Sequence, residues 1–180
     1  MIRAIRAAIA VIALALVASC GGDSSQPAPS KFKSYSGPPV TQIVVKKGDR
    51  KMYLLSGRTV LRSYDVNLGP QPVGPKEYEG DGRTPEGMYF IDRKNPRSSY
   101  HLSVGISYPS TKDIAHAAAL GLRPGGDIMI HGLGPLGRKL NRPDWTAGCI
   151  AVTDEEIEEI FAMINPCLLY TSDAADERSS

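Results

Sequence analysis

The chain has 180 residues, of which 21 are Lys or Arg and 19 are Asp or Glu, so its formal net charge at neutral pH is +2. A balance this close to neutral gives no electrostatic reason to expect a nucleic-acid partner or an anionic membrane surface as partner. The length is sufficient for one domain with a substantial hydrophobic core.

Residues 1–19 have the pattern of a cleaved secretory signal. Arg3 and Arg6 precede a run of apolar residues that ends in small residues, and the run is shorter than the roughly 20 residues of a membrane-spanning helix. The segment Val17-Ala-Ser-Cys20 resembles a bacterial lipobox, which predicts that Cys20 is lipidated and becomes the new N-terminus; a plain cleaved signal with an incidental cysteine is the alternative. Gly21 follows Cys20, which in a host with two membranes resembles a lipoprotein of the outer membrane. We therefore expect a lipid-anchored protein on the periplasmic face of the cell envelope.

Residues 20–40 are rich in Gly, Ser and Pro and predict a flexible tether between the anchor and a folded domain at 41–166. The first part of that domain alternates β-rich runs with turn residues, which predicts a β-meander. Its strands are expected at 42–46, 51–55 and 59–68.

The tract from Gly69 to Gly87 predicts a long loop. It contains Pro70, Pro72, Pro75 and Pro85 among several glycines. Long loops in compact domains are commonly functional, and the dense Gly and Pro content favours a fixed shape.

The rest of the domain predicts mostly strands and one firm helix. Strands are expected at 87–92, 100–107 and 127–131, with a short helix around 116–120. Thr153 and Glu156 form a capping box, and Ile157, Ile160, Phe161 and Ile164 recur at helical spacing, so a helix begins at Thr153. The predicted fold class is mainly β (α+β).

The C-terminal segment from Cys167 to Glu177 resembles the translation of a transposon-type adapter used in DNA library preparation. We expect residues 167–180 to be an assembly artefact and the domain to be truncated near Pro166; a natural polar tail is the alternative. With Cys20 lipidated and Cys167 set aside, Cys149 is the one free thiol of an exported domain. Structural cysteines in oxidising compartments normally pair, so a lone thiol there indicates reactivity.

Cys149 and His131 are the candidate catalytic pair. A cysteine attacks carbonyls as a thiolate and needs a base, which His131, at the end of a predicted strand, can supply across one loop. Gly148 allows a sharp turn, which we expect to aim the backbone N–H groups of Gly148 and Cys149 at the developing oxyanion.

This pattern of His-Gly, a spacer and Ser/Thr-x-Gly-Cys resembles the signature of the YkuD-like L,D-transpeptidases. The segment Glu79-Gly-Asp-Gly-Arg-Thr-Pro-Glu-Gly87 resembles one branch of that family, which includes murein L,D-transpeptidases and lipoprotein-releasing relatives. Tyr100-His-Leu-Ser and Ser107-Tyr-Pro are similar to the same branch, so the resemblance spans about 44–164.

The resemblance implies a mixed β-sandwich with a capping helix near the C-terminus. It implies that Cys149 attacks the acyl carbonyl at the diaminopimelate of a peptidoglycan stem peptide, that His131 shuttles the proton and that the Gly132 carbonyl orients the histidine. An amine from another stem, or from a lipoprotein lysine, then resolves the thioester. No cofactor is implied.

The chain departs from many relatives at Ala147 and Ala151, where they carry polar or basic residues, so carboxylate binding is not carried over from those positions. Arg83 in the loop is the substitute candidate for substrate binding, and a solvated loop arginine is an equal alternative. Trp145 and Thr146, in the cysteine motif, are further candidates for substrate contact.

Two other functions remain open. A hydrolase on the same fold would resolve the thioester with water and release a wall-linked lipoprotein or trim stem peptides, and a lipoprotein could bind the wall without catalysis. A zinc site is disfavoured, because zinc sites use short paired spacings of Cys and His that the sequence lacks. His101 is expected in mid-strand in a structural role and His116 on the surface.

One structural consequence follows from the expected truncation. Relatives close the domain with a strand after the last helix, so we expect a neighbouring strand to be left with an unpaired edge here.

Overall fold

The computed structural model of the protein describes residues 30–173. The predicted signal at 1–19, the lipidation site Cys20 and the first part of the predicted tether lie outside the described residues, as do positions 174–180. No helix in the described range has the length and apolar character needed to cross a membrane.

Eight strands and three helices make up this range. In chain order they are β1 (Gln42–Lys46), β2 (Lys51–Ser56), β3 (Thr59–Asp65), β4 (Gly87–Asn95), β5 (Ser103–Ile106), α1 (Thr111–Ala119), β6 (Met129–His131), α2 (Gly134–Leu140), β7 (Ile150–Ala151), α3 (Asp154–Met163) and β8 (Leu169–Asp173).

The strands form one mixed sheet in the order β3-β2-β1-β8-β4-β5-β6-β7. The first three are the predicted antiparallel meander. Strand β4 is shared between two parts of the sheet, because Gly87 to Phe90 pair with β8 and the segment after it pairs with β5 across a register shift. The predicted mainly β fold class is confirmed.

The alternation of apolar residues along β1 and β2 explains which face of the meander is buried. In β1 and β2 every second residue, Ile43, Val45, Met52 and Leu54, has no exposed surface, while the residues between them are partly exposed. Successive side chains of a strand point to opposite faces, so this alternation places one apolar face on the core.

Helix α3 supports the strand that carries His131. Thr153 caps it as predicted, with the Thr153 hydroxyl accepting from the Glu156 N–H and the Glu156 carboxylate accepting from the Thr153 N–H. Ile157 and Ile160 are fully buried, and the helix packs against β5 and β6. Phe161, predicted on the same buried face, is only partly buried, and its ring lies tilted against that of Phe32 with centroids 6.3 Å apart.

That contact corrects the predicted tether. Residues 30–40 do not leave the domain: Lys31 Nζ donates to the Pro96 carbonyl at 2.7 Å, and Lys33 Nζ lies 3.3 Å from the Glu158 carboxylate. Tyr35 packs against the core. The composition of the tract as a whole is that of a tether, but these aromatic rings and lysines give its last part a surface to bury and partners to bind.

Strand β8 corrects the expected open edge. It pairs in parallel with β1 and antiparallel with β4, so both neighbours keep their hydrogen-bonding partners. Tyr170 and Ser172 point inward and are buried, and neither hydroxyl has a hydrogen-bond partner outside this pair. Strand β8 occupies the position between β1 and β4 through main-chain hydrogen bonds, which any segment with alternating apolar and polar residues can make. The adapter origin of this segment stays a prediction.

Candidate active site

The tract at residues 69–86, here called the Gly-Pro loop, is held by two buried lysines. Each lysine forms an ion pair with a carboxylate, and these two ion pairs are here called the clasps. Lys47 has no exposed surface, and its Nζ donates to the Gly74 carbonyl at 2.7 Å, the Thr84 carbonyl at 2.9 Å and the Glu86 carboxylate at 2.8 Å. Burial lowers the pKa of Lys47, and the Glu86 carboxylate opposes that shift. The loop is therefore long but fixed, as its composition predicted.

Lys76 and Asp81 form the second clasp, inside the loop. Their side chains are each 3% exposed and meet at 2.7 Å. The Asp81 carboxylate also accepts the backbone N–H groups of Glu77, Tyr78 and Arg83. Burial alone would raise the pKa of Asp81, but the Lys76 ammonium and the three N–H donors outweigh it and hold that pKa below its ordinary value.

The Gly-Pro loop packs closely against the turn that carries the cysteine. A Cβ added to Gly148 would lie 2.5 Å from the Arg83 carbonyl oxygen, and one added to Gly69 would collide with the Gly82 carbonyl. Gly148 also has a φ of +119°, which residues with a Cβ rarely adopt. Both the backbone conformation and the close approach therefore require glycine at 148.

Cys149 and His131 lie on neighbouring strands and face the same side. β6 and β7 are parallel, with Ile130 opposite Ile150 and His131 opposite Ala151. Cys149, immediately before β7, is therefore level with Met129, two residues from His131. Residues at i and i+2 share a face, so the imidazole and the thiol lie on one face with Cα atoms roughly 8 Å apart from strand spacing and rise.

The imidazole is oriented as the resemblance implied. His131 Nδ1 lies 2.6 Å from the Gly132 carbonyl oxygen, and His131 is 3% exposed. A carbonyl oxygen can only accept, so Nδ1 carries the proton and Nε2 of the neutral ring is left as a proton acceptor. Burial lowers the pKa of His131, against a smaller opposing effect of the Gly132 hydrogen bond. The ring is therefore a neutral base at pH 7.

Two aromatic rings enclose the imidazole. Tyr100 stacks on it with centroids 4.5 Å apart, and Trp145 meets it edge-on at 5.7 Å. Tyr100 and Trp145 also contact each other at 5.8 Å. Trp145 was predicted from the sequence to belong to the site, whereas Tyr100 was not, since only the fold brings the turn before β5 next to β6.

The thiol of Cys149 is held near backbone groups. Its Sγ donates to the Asp127 carbonyl oxygen at 3.5 Å, and its side chain makes no hydrogen bond to His131 among the described residues. Burial raises the pKa of Cys149, while the Met129 backbone N–H and the more distant Lys76 charge act in the opposite direction. The cysteine is therefore a neutral thiol at rest. Asp127 and Met129 were not identified from the sequence.

Thr146 braces the cysteine turn, which differs from its predicted role as a substrate contact. The residue is 5% exposed, its hydroxyl donates to the Cys149 carbonyl at 2.7 Å, and the same oxygen accepts the Gly148 N–H at 3.2 Å. Both hydrogen-bonding directions of the hydroxyl are thereby occupied. The Gly148 N–H, predicted to face the oxyanion, is occupied as well, because it points at Thr146.

Arg83 does not stand free in the loop. Its guanidinium pairs with Glu77 at 2.7 Å, and its side chain is 32% exposed. Glu77 also lies 3.6 Å from His116, which is on the surface as predicted.

His101 is not in mid-strand as expected. It lies in the turn before β5 with a φ of +73° and pairs with Glu158 at 2.7 Å. That contact to α3 is structural, as the sequence favoured. Between residues 30 and 173 no three His, Cys, Asp or Glu side chains are grouped so as to hold a metal ion.

The chain matches a known protein family and curated proteins. The L,D-transpeptidase catalytic domain family, YkuD, matches residues 40–168. YafK of Escherichia coli (strain K12), named provisionally as an L,D-transpeptidase, is 29% identical over 153 residues, which cover 82% of this chain and 56% of that protein. The chain thus spans about half the length of the curated relatives it matches.

Solved structures show the same fold. A variant of the helical cell shape determining protein Pgp2 from Campylobacter jejuni superposes with a TM-score of 0.59 at 25% identity, over 79% of this chain and 50% of that one. Bd1075 of Bdellovibrio bacteriovorus superposes with a TM-score of 0.52 at 19% identity, over 78% of this chain and 49% of that one, and supports the fold alone.

Proposed function

The chain belongs to the YkuD family of L,D-transpeptidase catalytic domains, and from that premise we propose that it is a cysteine acyltransferase that acts on peptidoglycan stem peptides through a thioester on Cys149. The observation that carries the proposal is the placement of a half-buried thiol and a neutral, oriented imidazole on one face of two parallel strands.

In the first half-reaction a stem peptide carbonyl approaches Cys149. The thiol proton passes to Nε2 of His131 as sulfur bonds to the carbonyl carbon, and the Cys149 N–H is the candidate donor to the resulting oxyanion, since the Gly148 N–H is occupied. Collapse breaks the bond to the leaving amine, which takes the proton from the imidazolium. A thioester and a neutral His131 remain.

In the second half-reaction an amine attacks the thioester and gives its proton to Nε2 of His131. Collapse of this intermediate returns the proton to sulfur and forms the new amide. The raised pKa of Cys149 and the lowered pKa of His131 favour the neutral pair between turnovers. Proton transfer therefore accompanies attack, and no ion pair needs to exist beforehand.

Carbapenem labelling tests the proposed nucleophile. Incubation of the protein with a carbapenem, followed by intact mass measurement, should show one covalent adduct that maps to Cys149 and is absent from Cys149→Ser. His131→Gln should slow the labelling by about two to four orders of magnitude, the usual contribution of a general base. An unmodified mass at saturating drug would favour a wall-binding protein without catalysis and would contradict the proposal.

Hydrolysis is the second candidate, favoured by the segment from Glu79 to Gly87 that resembles lipoprotein-releasing relatives. Water would replace the amine in the second half-reaction, with the same residues. Digested cell walls from strains with and without the protein separate the two functions: a transferase changes the number of cross-links or attached proteins, whereas a hydrolase changes the amount of released lipoprotein.

We further propose that the mature protein is anchored at Cys20 by lipid to the periplasmic face of the envelope. Replacing Cys20 with Ser should move the protein from the membrane fraction to the soluble periplasmic fraction, and an unchanged distribution would contradict the anchor. The likeness to Pgp2, a helical cell shape determining protein, makes cell curvature a natural phenotype to score in the same strains.

A further inference from the structure

A cavity of about 450 Å³ lies beside the imidazole, formed by the connection between β6 and β7. Its walls come from α2 and the residues that follow it, with Trp145 at one side. Trp145 meets the His131 ring at 5.7 Å and packs so closely on α2 that a Cβ on Gly137 would lie 2.6 Å from the indole. One indole ring therefore separates the cavity from the catalytic base.

The lining of this cavity is basic and amide-bearing. Arg138, Arg142, Asn67 and Asn141 contribute polar side chains, and no carboxylate lines it. Arg138 is committed to Asp154. Arg142 is exposed and makes no ion pair or hydrogen bond within the described part of the chain. The nearest acid in sequence, Asp144, is held by Arg50 at 2.7 Å.

We propose that this cavity binds a carboxylate of the substrate, with Arg142 as its charged partner. The inference rests on the proposed function and names the chemical class that the site selects. Arginine presents a planar fork of donors that matches a carboxylate, and the asparagine amides can donate to the same group. Small-molecule sites have volumes of roughly 300–1,000 Å³, so this cavity is large enough for the end of a peptide side chain.

The position of the cavity selects which carboxylate it takes. Groups bonded next to the reacting carbonyl must lie at Cys149, on the near side of Trp145. We assign to the space beyond the indole the side-chain carboxylate of diaminopimelate, because that side chain belongs to the residue whose carbonyl reacts and is long enough to extend past the indole. Arg142 thereby replaces Arg83, whose guanidinium is engaged by Glu77.

Trp145 gives a direct readout, because it is the only tryptophan of the sequence. The full chain carrying Cys149→Ala, which cannot form a thioester, is titrated with a stem tetrapeptide while tryptophan emission is followed. The second probe is the same peptide with the side-chain carboxylate of diaminopimelate converted to a carboxamide. Arg142→Gln is added to the Cys149→Ala background, with Arg58→Gln, an exposed arginine in the β2–β3 turn, as the matched control.

We expect saturable binding of the free acid, about tenfold weaker binding of the carboxamide, and about tenfold weaker binding of the free acid to Arg142→Gln. Arg58→Gln should bind both probes like its parent. Equal affinity for the two probes, an unchanged affinity in Arg142→Gln, or no emission change with either probe would overturn the inference. The proposed function is tested separately by turnover of the same peptide with Cys149 intact. An acyltransferase that lacks this carboxylate subsite would still form its thioester, so the two proposals can fail independently.

Discussion

Replacing Asp81 with Asn should destabilise the protein more than any change at an exposed ion pair. The substitution keeps the shape of the side chain but removes its charge and one of two accepting oxygens. In the structure Oδ1 accepts from Lys76 Nζ and the Arg83 N–H, and Oδ2 accepts from two further backbone N–H groups. Whichever oxygen is replaced, two donors would lose their acceptor, and the buried Lys76 ammonium would lose its counter-charge.

The expected loss of stability follows from the Lys76 charge, which stays buried without its partner. Removing one partner of a buried ion pair costs about 3–5 kcal/mol, because the other charge stays in the interior without compensation. For a domain of this size 1 kcal/mol corresponds to about 2–4 °C in Tm, so Asp81→Asn should lower Tm by roughly 6–20 °C. The double variant Lys76→Met with Asp81→Leu removes both charges and should recover part of that loss.

Thermal unfolding followed by circular dichroism measures these shifts, with Lys51→Gln as the control. Lys51 pairs with Asp65 at 2.6 Å on the surface, so breaking that pair should leave Tm nearly unchanged. The pKa of the Asp81 carboxyl is lowered from 3.8 in the folded state, so its contribution to stability should be fully present above that ordinary value and be lost as pH falls through the lowered one. Equal Tm values for Asp81→Asn and Lys51→Gln would refute the role given to the clasp.

Three further outcomes are expected. The rate of Cys149 alkylation by iodoacetamide, which requires the thiolate, should rise with pH with a midpoint above the ordinary cysteine pKa of about 8.5. The rate of carbapenem acylation, which uses neutral His131, should instead rise with a midpoint below 6.5 and be constant near neutral pH. Coincident midpoints for the two reactions would contradict the neutral pair. Gly148→Ala should slow acylation by at least tenfold, because the added methyl group meets the Arg83 carbonyl at a positive φ, and wild-type kinetics would show that the turn can shift without cost. Tyr170→Phe should change the free energy of unfolding by less than about 1 kcal/mol in urea titrations, because the buried hydroxyl that it removes has only a contact with Ser172 to lose; a loss of about 2 kcal/mol or more would show that this contact is a full hydrogen bond.

The parts of the fold that follow local patterns could be predicted from the sequence. Strand β1 has the predicted bounds, and α3 begins at the predicted cap, because alternation and the Thr153–Glu156 box act within a few residues. Helix α2 was missed since its Gly and Pro content is that of a loop, although Pro135 at its first turn is compatible with a helix start. Strand β8 was missed because residues 167–180 were expected to be an artefact, and because its place depends on main-chain partners in β1 and β4, which are distant in the chain.

The candidate site divides in the same way. The motif located Cys149 and His131, since the chemistry restricts both residue types and their order. It could not locate Tyr100 or the two clasps, because these contacts depend on how distant segments approach one another. An Asp between two glycines was the available signal for Asp81, but Gly and Asp are also the residues of ordinary exposed turns. Thr146 was given a substrate role for the same reason: a motif specifies the residue, and only the fold specifies what its hydroxyl contacts.

The most direct test of the central claim is the mass of the enzyme during turnover of a stem tetrapeptide. Rapid acid quenching and intact mass measurement should show the protein enlarged by the acyl tripeptide, with the adduct on Cys149, removed by hydroxylamine and absent from Cys149→Ser. Release of the peptide's terminal amino acid by Cys149→Ser at the wild-type rate, or turnover by the intact protein with no adduct on Cys149, would contradict a thioester mechanism.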